Sequence, residues 1–157
     1  MTGEDGLHSV SVAAAIVDDQ GRVLVIQRAD NGRWEPPGGA LMLNERIEEG
    51  LRREVCEETG LEISIQRLTG VYKNHARGVL ALVFLAHSIG GRLTTNSEAS
   101  SFKWLWPTEI RRHVHQIFAQ RLLDALKHQN SPAIRDHDGQ TFWTQKTPLG
   151  DVAMSKE

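Results

Sequence analysis

A single cysteine, Cys56, stands among 157 residues, so no disulfide forms within the chain. That usage suits a reducing compartment, and a cytoplasmic location is expected. No apolar run reaches the ~20 residues that a membrane-crossing helix needs. The stretch Val10 to Val17 is far shorter and reads as a strand. The opening MTGEDGLHS holds two acids and no basic n-region, so no secretory leader is expected. Neither sign of charge is in large excess, with 18 Lys and Arg against 20 Asp and Glu. With a net charge of −2, no global field draws in polymeric nucleic acid or an anionic membrane. Repeats and low-complexity segments are absent. Hydrophobic residues at 39% exclude a disordered chain, and the length suits one domain with a proper core.

Two apolar runs, Val10 to Val17 and Val23 to Ile26, flank Asp18-Asp19-Gln20-Gly21 and predict a hairpin. Trp34-Glu35-Pro36-Pro37-Gly38-Gly39 is expected to hold no regular element. The period then changes. Ile47, Leu51 and Val55 recur at helical spacing, with Asn44 as the expected N-cap and Gly60 where the helix should end. Strands are expected near Leu68 to Lys73, Val79 to His87 and Phe102 to Trp106, the last stopped by Pro107. Val114, Phe118, Leu122 and Leu126 predict a second helix from Val114 to Lys127. Beyond Gln129 the sequence turns polar, and Phe142-Trp143 is either a short docked strand or part of a frayed tail. The expected division is an N-terminal segment (1–8), one domain (9–128) and a polar C-terminal tail (129–157) that is either docked in part or frayed. Strands around one central helix, with another helix late in the chain, argue for an α/β domain with a mixed sheet between helices.

The chemistry sits on the first of those helices. Glu54, Glu57 and Glu58 project from adjoining positions next to the apolar stripe, and like charges at this spacing repel. A divalent cation with oxygen ligands would hold them, and Mg²⁺ also recruits substrate phosphates. The competing reading is a solvated helix laced by pairs such as Glu49–Arg53 and Arg53–Glu57. The flank decides against it, because the preceding Pro-Pro-Gly-Gly turn lets backbone approach a ligand closely, and Glu45 adds a further acid.

Gly39, Glu45 and then Arg53-Glu54-Val55-Cys56-Glu57-Glu58-Thr59-Gly60-Leu61 fill a pattern that resembles the Nudix box of the MutT-like hydrolases. The wider resemblance runs from about Ser9 to Lys127. It implies the Nudix α/β/α sandwich with a mixed sheet, and Mg²⁺-dependent hydrolysis of a nucleoside diphosphate linked to another moiety, with Mn²⁺ as a substitute. It further implies Glu54, Glu57 and Glu58 as metal ligands, with a backbone carbonyl of Gly38 or Gly39, Glu45 as an auxiliary ligand, and Arg53 orienting the carboxylates. The general base comes either from the box or from a later loop. Glu98 is the loop candidate, an exposed loop acid being its alternative reading.

The chain departs from the usual box at Met42, where relatives often carry an acid, and at Asn44, where they carry glycine. Asn tolerates a left-handed conformation, so the turn is expected to survive. Markers of substrate class are thinner. Trp34, Tyr72 and Phe84 are candidates to stack on a base, with core packing as the alternative for each. Arg28, Lys73 and Arg77 are candidates to contact phosphates, and Cys56 reads as a packed thiol. The partner expected is a small nucleotide, of nucleoside triphosphate or nucleotide-sugar type, bound by a monomer or homodimer. The alternative function is a nucleotide-sensing module that binds without cleaving; the intact carboxylates argue against it.

Overall fold

Strands whose apolar residues run on without alternating must be covered on both faces, and such a strand organises this fold. The computed structural model describes residues 6–144. In chain order its elements are β1 (Ser9–Ile16), β2 (Val23–Arg28), β3 (Trp34–Glu35), β4 (Gly38–Ala40), α1 (Ile47–Thr59), β5 (Leu61–Asn74), β6 (Val79–Gly91), β7 (Ala99–Leu105), α2 (Ile110–His113), α3 (Gln116–Leu126) and β8 (Ala133–His137). A 3-10 turn at Pro107–Glu109 joins β7 to α2. One mixed sheet has the order β4-β1-β6-β5-β8, and a smaller antiparallel sheet the order β3-β2-β7.

Residues Val12 to Ile16 of β1 are all buried. Val12, Ala14 and Ile16 pack with Leu51 and Val55 of α1, while Ala15 joins a second cluster with Ala119 and Leu122 of α3. β2 divides in the same way, with Leu24 in the α1 cluster and Val23 and Val25 in the α3 cluster. The sheets therefore form the middle layer of an α/β/α sandwich, with one helix layer on each side.

The expected hairpin is corrected. Its turn forms, with Asp18 Oδ1 accepting from the Gln20 and Arg22 N–H groups and Gly21 at a φ of 88°. The strands part after the single bridge Val17–Val23, however, and enter different sheets. Both are apolar on two faces, so each needs neighbours and cover that a two-stranded hairpin cannot supply.

The Pro-Pro-Gly-Gly stretch also differs from expectation, because the short strands β3 and β4 lie on either side of Pro36-Pro37. Gly38 and Gly39 pair with Ala13 and Val12 of β1. A Cβ on Gly38 would lie 2.2 Å from the Val12 carbonyl oxygen, so glycine is what lets β4 reach the edge of the sheet.

Helix α1 ends as read, with Gly60 left-handed at a φ of 80° and its N–H donating to the Cys56 carbonyl. Its start is two residues later than expected. Arg46, not Asn44, is the N-cap, and the Glu49 carboxylate accepts from the Arg46 N–H at 2.8 Å. Asn44 is not left-handed, since no described non-glycine residue has a positive φ. The turn closes instead through Glu45, whose carboxylate accepts from the Met42 N–H. Cys56 is exposed rather than packed.

β5 and β6 are longer than their apolar cores, and β8, absent from the sequence reading, pairs in parallel with β5. Phe142 bridges to His137, and the Trp143 N–H donates to the Asp136 carbonyl, so this stretch lies against the sheet. Residues 145–157 of the expected tail lie outside the described part. Among the described residues no helix is long and apolar enough to cross a membrane.

Leu51 is fully buried between α1 and β1. Leu51→Ala is expected to cost about 2–5 kcal/mol through lost burial and a residual cavity. Urea denaturation should show a lower midpoint at an unchanged slope.

Candidate functional site

At about 100° per residue, Glu58 lies some 40° from Glu54 towards the apolar stripe of α1, and Glu57 some 60° away from it. The resulting angle of about 100° separates Glu57 from its chain neighbour Glu58. Glu58 is buried, Glu54 half-buried, and the Glu57 side chain 51% exposed. The Glu58 carboxylate accepts the Gly38 N–H at 2.7 Å. Gly39 lies directly over Glu54, where a Cβ would come within 2.5 Å of the carboxylate. The two glycines thus lay backbone against the acidic face of the helix.

The loop before β7 brings the third acid. Oxygens of Glu54, Glu58 and Glu98 lie within 4.8 Å of one another. They line a cleft of about 390 Å³ together with Gly38, Gly39, Ser97, Arg28 and Asp30. An octahedral Mg²⁺ with bonds of about 2.1 Å needs opposite oxygens about 4.2 Å apart, so a modest closure would accommodate the ion. Three hard oxygen donors fit Mg²⁺ or Mn²⁺ and do not fit a soft metal.

Protein cations serve the margins of this group and leave its centre alone. Arg53 donates to both Glu45 oxygens at 2.9 and 2.7 Å, to Glu54 at 2.9 Å, to Glu57 at 3.3 Å and to the Ala40 carbonyl at 3.2 Å. Its hydrogen bonds hold the Glu45 carboxyl down to about 2. Arg28 donates to both Asp30 oxygens and to Glu35. Among the described residues no arginine is hydrogen-bonded to the Glu58 carboxylate. Burial pushes its carboxyl up to about 8, and the neighbouring charges of Glu54, Glu98 and Glu35 add to the effect against the Gly38 hydrogen bond. Glu54 is raised as well, first by burial and then by Glu57 and Glu98, with Arg53 opposing.

The structure thus brings together Glu54, Glu58, Glu98, Gly39 and Arg28 of the residues singled out from the sequence. Glu45 and Glu57 stand outside the three-acid group, joined to it through Arg53. Trp34 packs at the edge of the α3 cluster with the Lys103 ammonium 4.8 Å from its ring centre. Tyr72 is corrected as a stacking candidate. It is fully buried, its hydroxyl donates to Asp124 at 2.7 Å, and no ring face is left for a base.

The sequence reading missed Asp30, Ser97 and Glu35. Glu35 is raised chiefly by burial, despite its bond from Arg28. Its place between Trp34 and the two prolines was a usable signal, whereas Asp30 and Ser97 look like ordinary loop residues.

A family model described as NUDIX domain matches residues 7–126. A MutT-like protein of Streptomyces ambofaciens is 51% identical, over 85% of this chain and 86% of that one. An ADP-ribose pyrophosphatase of Methanocaldococcus jannaschii is 34% identical over 59% of each chain. The crystal structure of an ADP-ribose pyrophosphatase from Streptococcus suis superposes with a TM-score of 0.71 at 22% identity, covering 82% of this chain and 99% of that one. At that identity the likeness shows the fold.

The raised Glu58 carboxyl gives a pH signature in the metal-free protein. A carboxyl whose folded value exceeds its ordinary 4.5 stabilises the fold at low pH and ceases to do so as pH rises towards about 8. With chelator present, the urea midpoint should therefore fall between about pH 4.5 and about pH 8. Glu58→Gln should flatten that decline.

Proposed function

The chain belongs to the Nudix hydrolase family, whose members act on pyrophosphate bonds, and we propose that it hydrolyses a nucleoside diphosphate linked to another moiety with Mg²⁺ held by Glu54, Glu58 and Glu98. The observation that carries this reading is the convergence of those three carboxylates within 4.8 Å in an open cleft that Arg28 also lines. Glu57 and Glu45, exposed or tied to Arg53, lie one step further out, where ligation through water or of a second ion is within their reach. A Gly38 or Gly39 carbonyl is the proposed backbone ligand.

The bound cation would supply Lewis-acid polarisation and charge neutralisation at the phosphates. The protein's own contribution is positional. Arg53 grips Glu45 through a planar fork of Nε and Nη2, its Nη1 holds Glu54 and Glu57, and the Gly38 N–H holds Glu58. In the reaction a water oxygen bonds to one phosphorus, the bridging P–O bond breaks, and the other phosphate leaves with the bridging oxygen. The water proton passes to a carboxylate of the cleft.

Arg28 lines the same cleft and is the proposed contact for a phosphate oxygen, with Asp30 and Glu35 bonded to its guanidinium. The substrate is of the nucleoside triphosphate or nucleotide-sugar kind, a choice supported by relatives named MutT-like protein and ADP-ribose pyrophosphatase. Trp34, whose chain neighbour Glu35 accepts from the cleft residue Arg28, is the remaining candidate to touch the base.

A panel of nucleoside triphosphates, ADP-ribose, other nucleotide sugars and dinucleoside polyphosphates, read by phosphate release after phosphatase coupling, tests the reading. Turnover should need Mg²⁺ or Mn²⁺. Changing both Glu57 and Glu58 to Gln should lower it on the order of 10³-fold or more, as losing transition-state charge stabilisation requires, with the thermal melt still cooperative. Undiminished metal-dependent turnover in that variant would sink the assignment.

A further inference from the structure

The third carboxylate of the cleft has no support of its own. Among the described residues no hydrogen bond holds the Glu98 side chain, which is exposed. Its position therefore follows from its backbone, and the backbone is tied at two places. On one side the Ala29 N–H, at the end of β2, donates to the Glu98 carbonyl at 2.8 Å. On the other stands Asn96.

The Asn96 side chain uses both ends of its amide. Its Oδ1 accepts from the Glu98 and Ala99 N–H groups, each at 2.9 Å, which folds the loop around it. Its Nδ2 donates to the Glu58 carbonyl at 2.7 Å and to the Thr94 carbonyl at 3.1 Å. The Glu58 carbonyl belongs to the last turn of α1, where backbone acceptors have no partner within the helix. The same loop serves a second of these, for the Thr94 N–H donates to the Thr59 carbonyl at 2.9 Å. Gly60 allows the contact, because a Cβ there would lie 2.4 Å from the Arg92 carbonyl oxygen.

We propose that Asn96 is a positioning residue for the metal site, its amide locking the Glu98 loop onto the C-terminal turn of α1 so that Glu98 meets Glu54 and Glu58. One side chain completes the cap of the helix that carries two of the acids and sets the register of the third. Only an amide does both. A carboxylate at this position lacks the donor, and a hydroxyl lacks the reach to Glu58. The inference rests on the reading of Glu98 as a ligand.

The test is Mn²⁺ binding to the full chain, followed by calorimetry in the absence of substrate, for Asn96→Ala, Asn96→Ser, Glu98→Gln and the double variant Asn96→Ala/Glu98→Gln. Residues that orient ligands typically contribute about 10–100-fold in metal affinity. Each Asn96 variant should weaken Mn²⁺ binding by about tenfold or more on that scale. In the Glu98→Gln background the further loss should shrink to less than about threefold, because the group being positioned is gone. Asn96→Ser, which keeps an acceptor near the loop amides, carries the comparison if Asn96→Ala does not fold. Wild-type affinity in the Asn96 variants, or losses that multiply in the double variant, would overturn the proposal. Wild-type affinity in Glu98→Gln would overturn it too, yet leave the hydrolase reading standing, since that depends on the turnover of the Glu57/Glu58 variant.

Discussion

The hydrogen bond from the Gly38 N–H to the buried Glu58 carboxylate is the contact on which the site depends. It joins a two-glycine strand to the acidic flank of α1, and each partner is there for a steric or electrostatic reason. A side chain at residue 38 would run into the β1 backbone, and one at residue 39 would displace Glu54. Burial of Glu58 carries a desolvation penalty that one N–H only partly offsets, so its carboxyl is drawn up towards neutrality. The fold supplies a carboxylate cluster that is short of positive charge at its centre.

The distribution of arginines gives that shortage a direction. Arg53 spreads its guanidinium over Glu45, Glu54 and Glu57, and Arg28 is occupied by Asp30 and Glu35. Both sit beside the three-acid group rather than in it. An arginine at the centre would neutralise Glu58 permanently, whereas a divalent ion can do so while keeping positions open for water and phosphate. The proposed hydrolysis uses this difference.

Much of this was legible in residue order. The stripe of Leu51 and Val55, the stop at Gly60 and the nearby acids follow from a period of 3.6, which depends only on neighbours along the chain. What escaped had non-local causes. β1 and β2 read as a hairpin because the turn between them is sound, but their two-sided apolarity sends them to different sheets. β8 carries Arg135, Asp136 and His137, polar enough to pass for tail, and becomes a strand only where β5 offers a free edge. Tyr72 resembled a stacking residue until burial beside Asp124 assigned it to the interior.

Residue order alone determined which helix bears the acids and which glycine segment precedes it, because helical period is a local property, and the resemblance of the box to the Nudix family implied the class of bond. The tertiary structure decided which acids form the cluster. Glu57 and Glu58 are neighbours in the chain, yet only Glu58 turns under Gly38, while Glu98 arrives from a loop forty residues later. That selection is made by which side of α1 faces the sheet and by where the β7 loop is tied, and both are set by packing between segments distant in sequence.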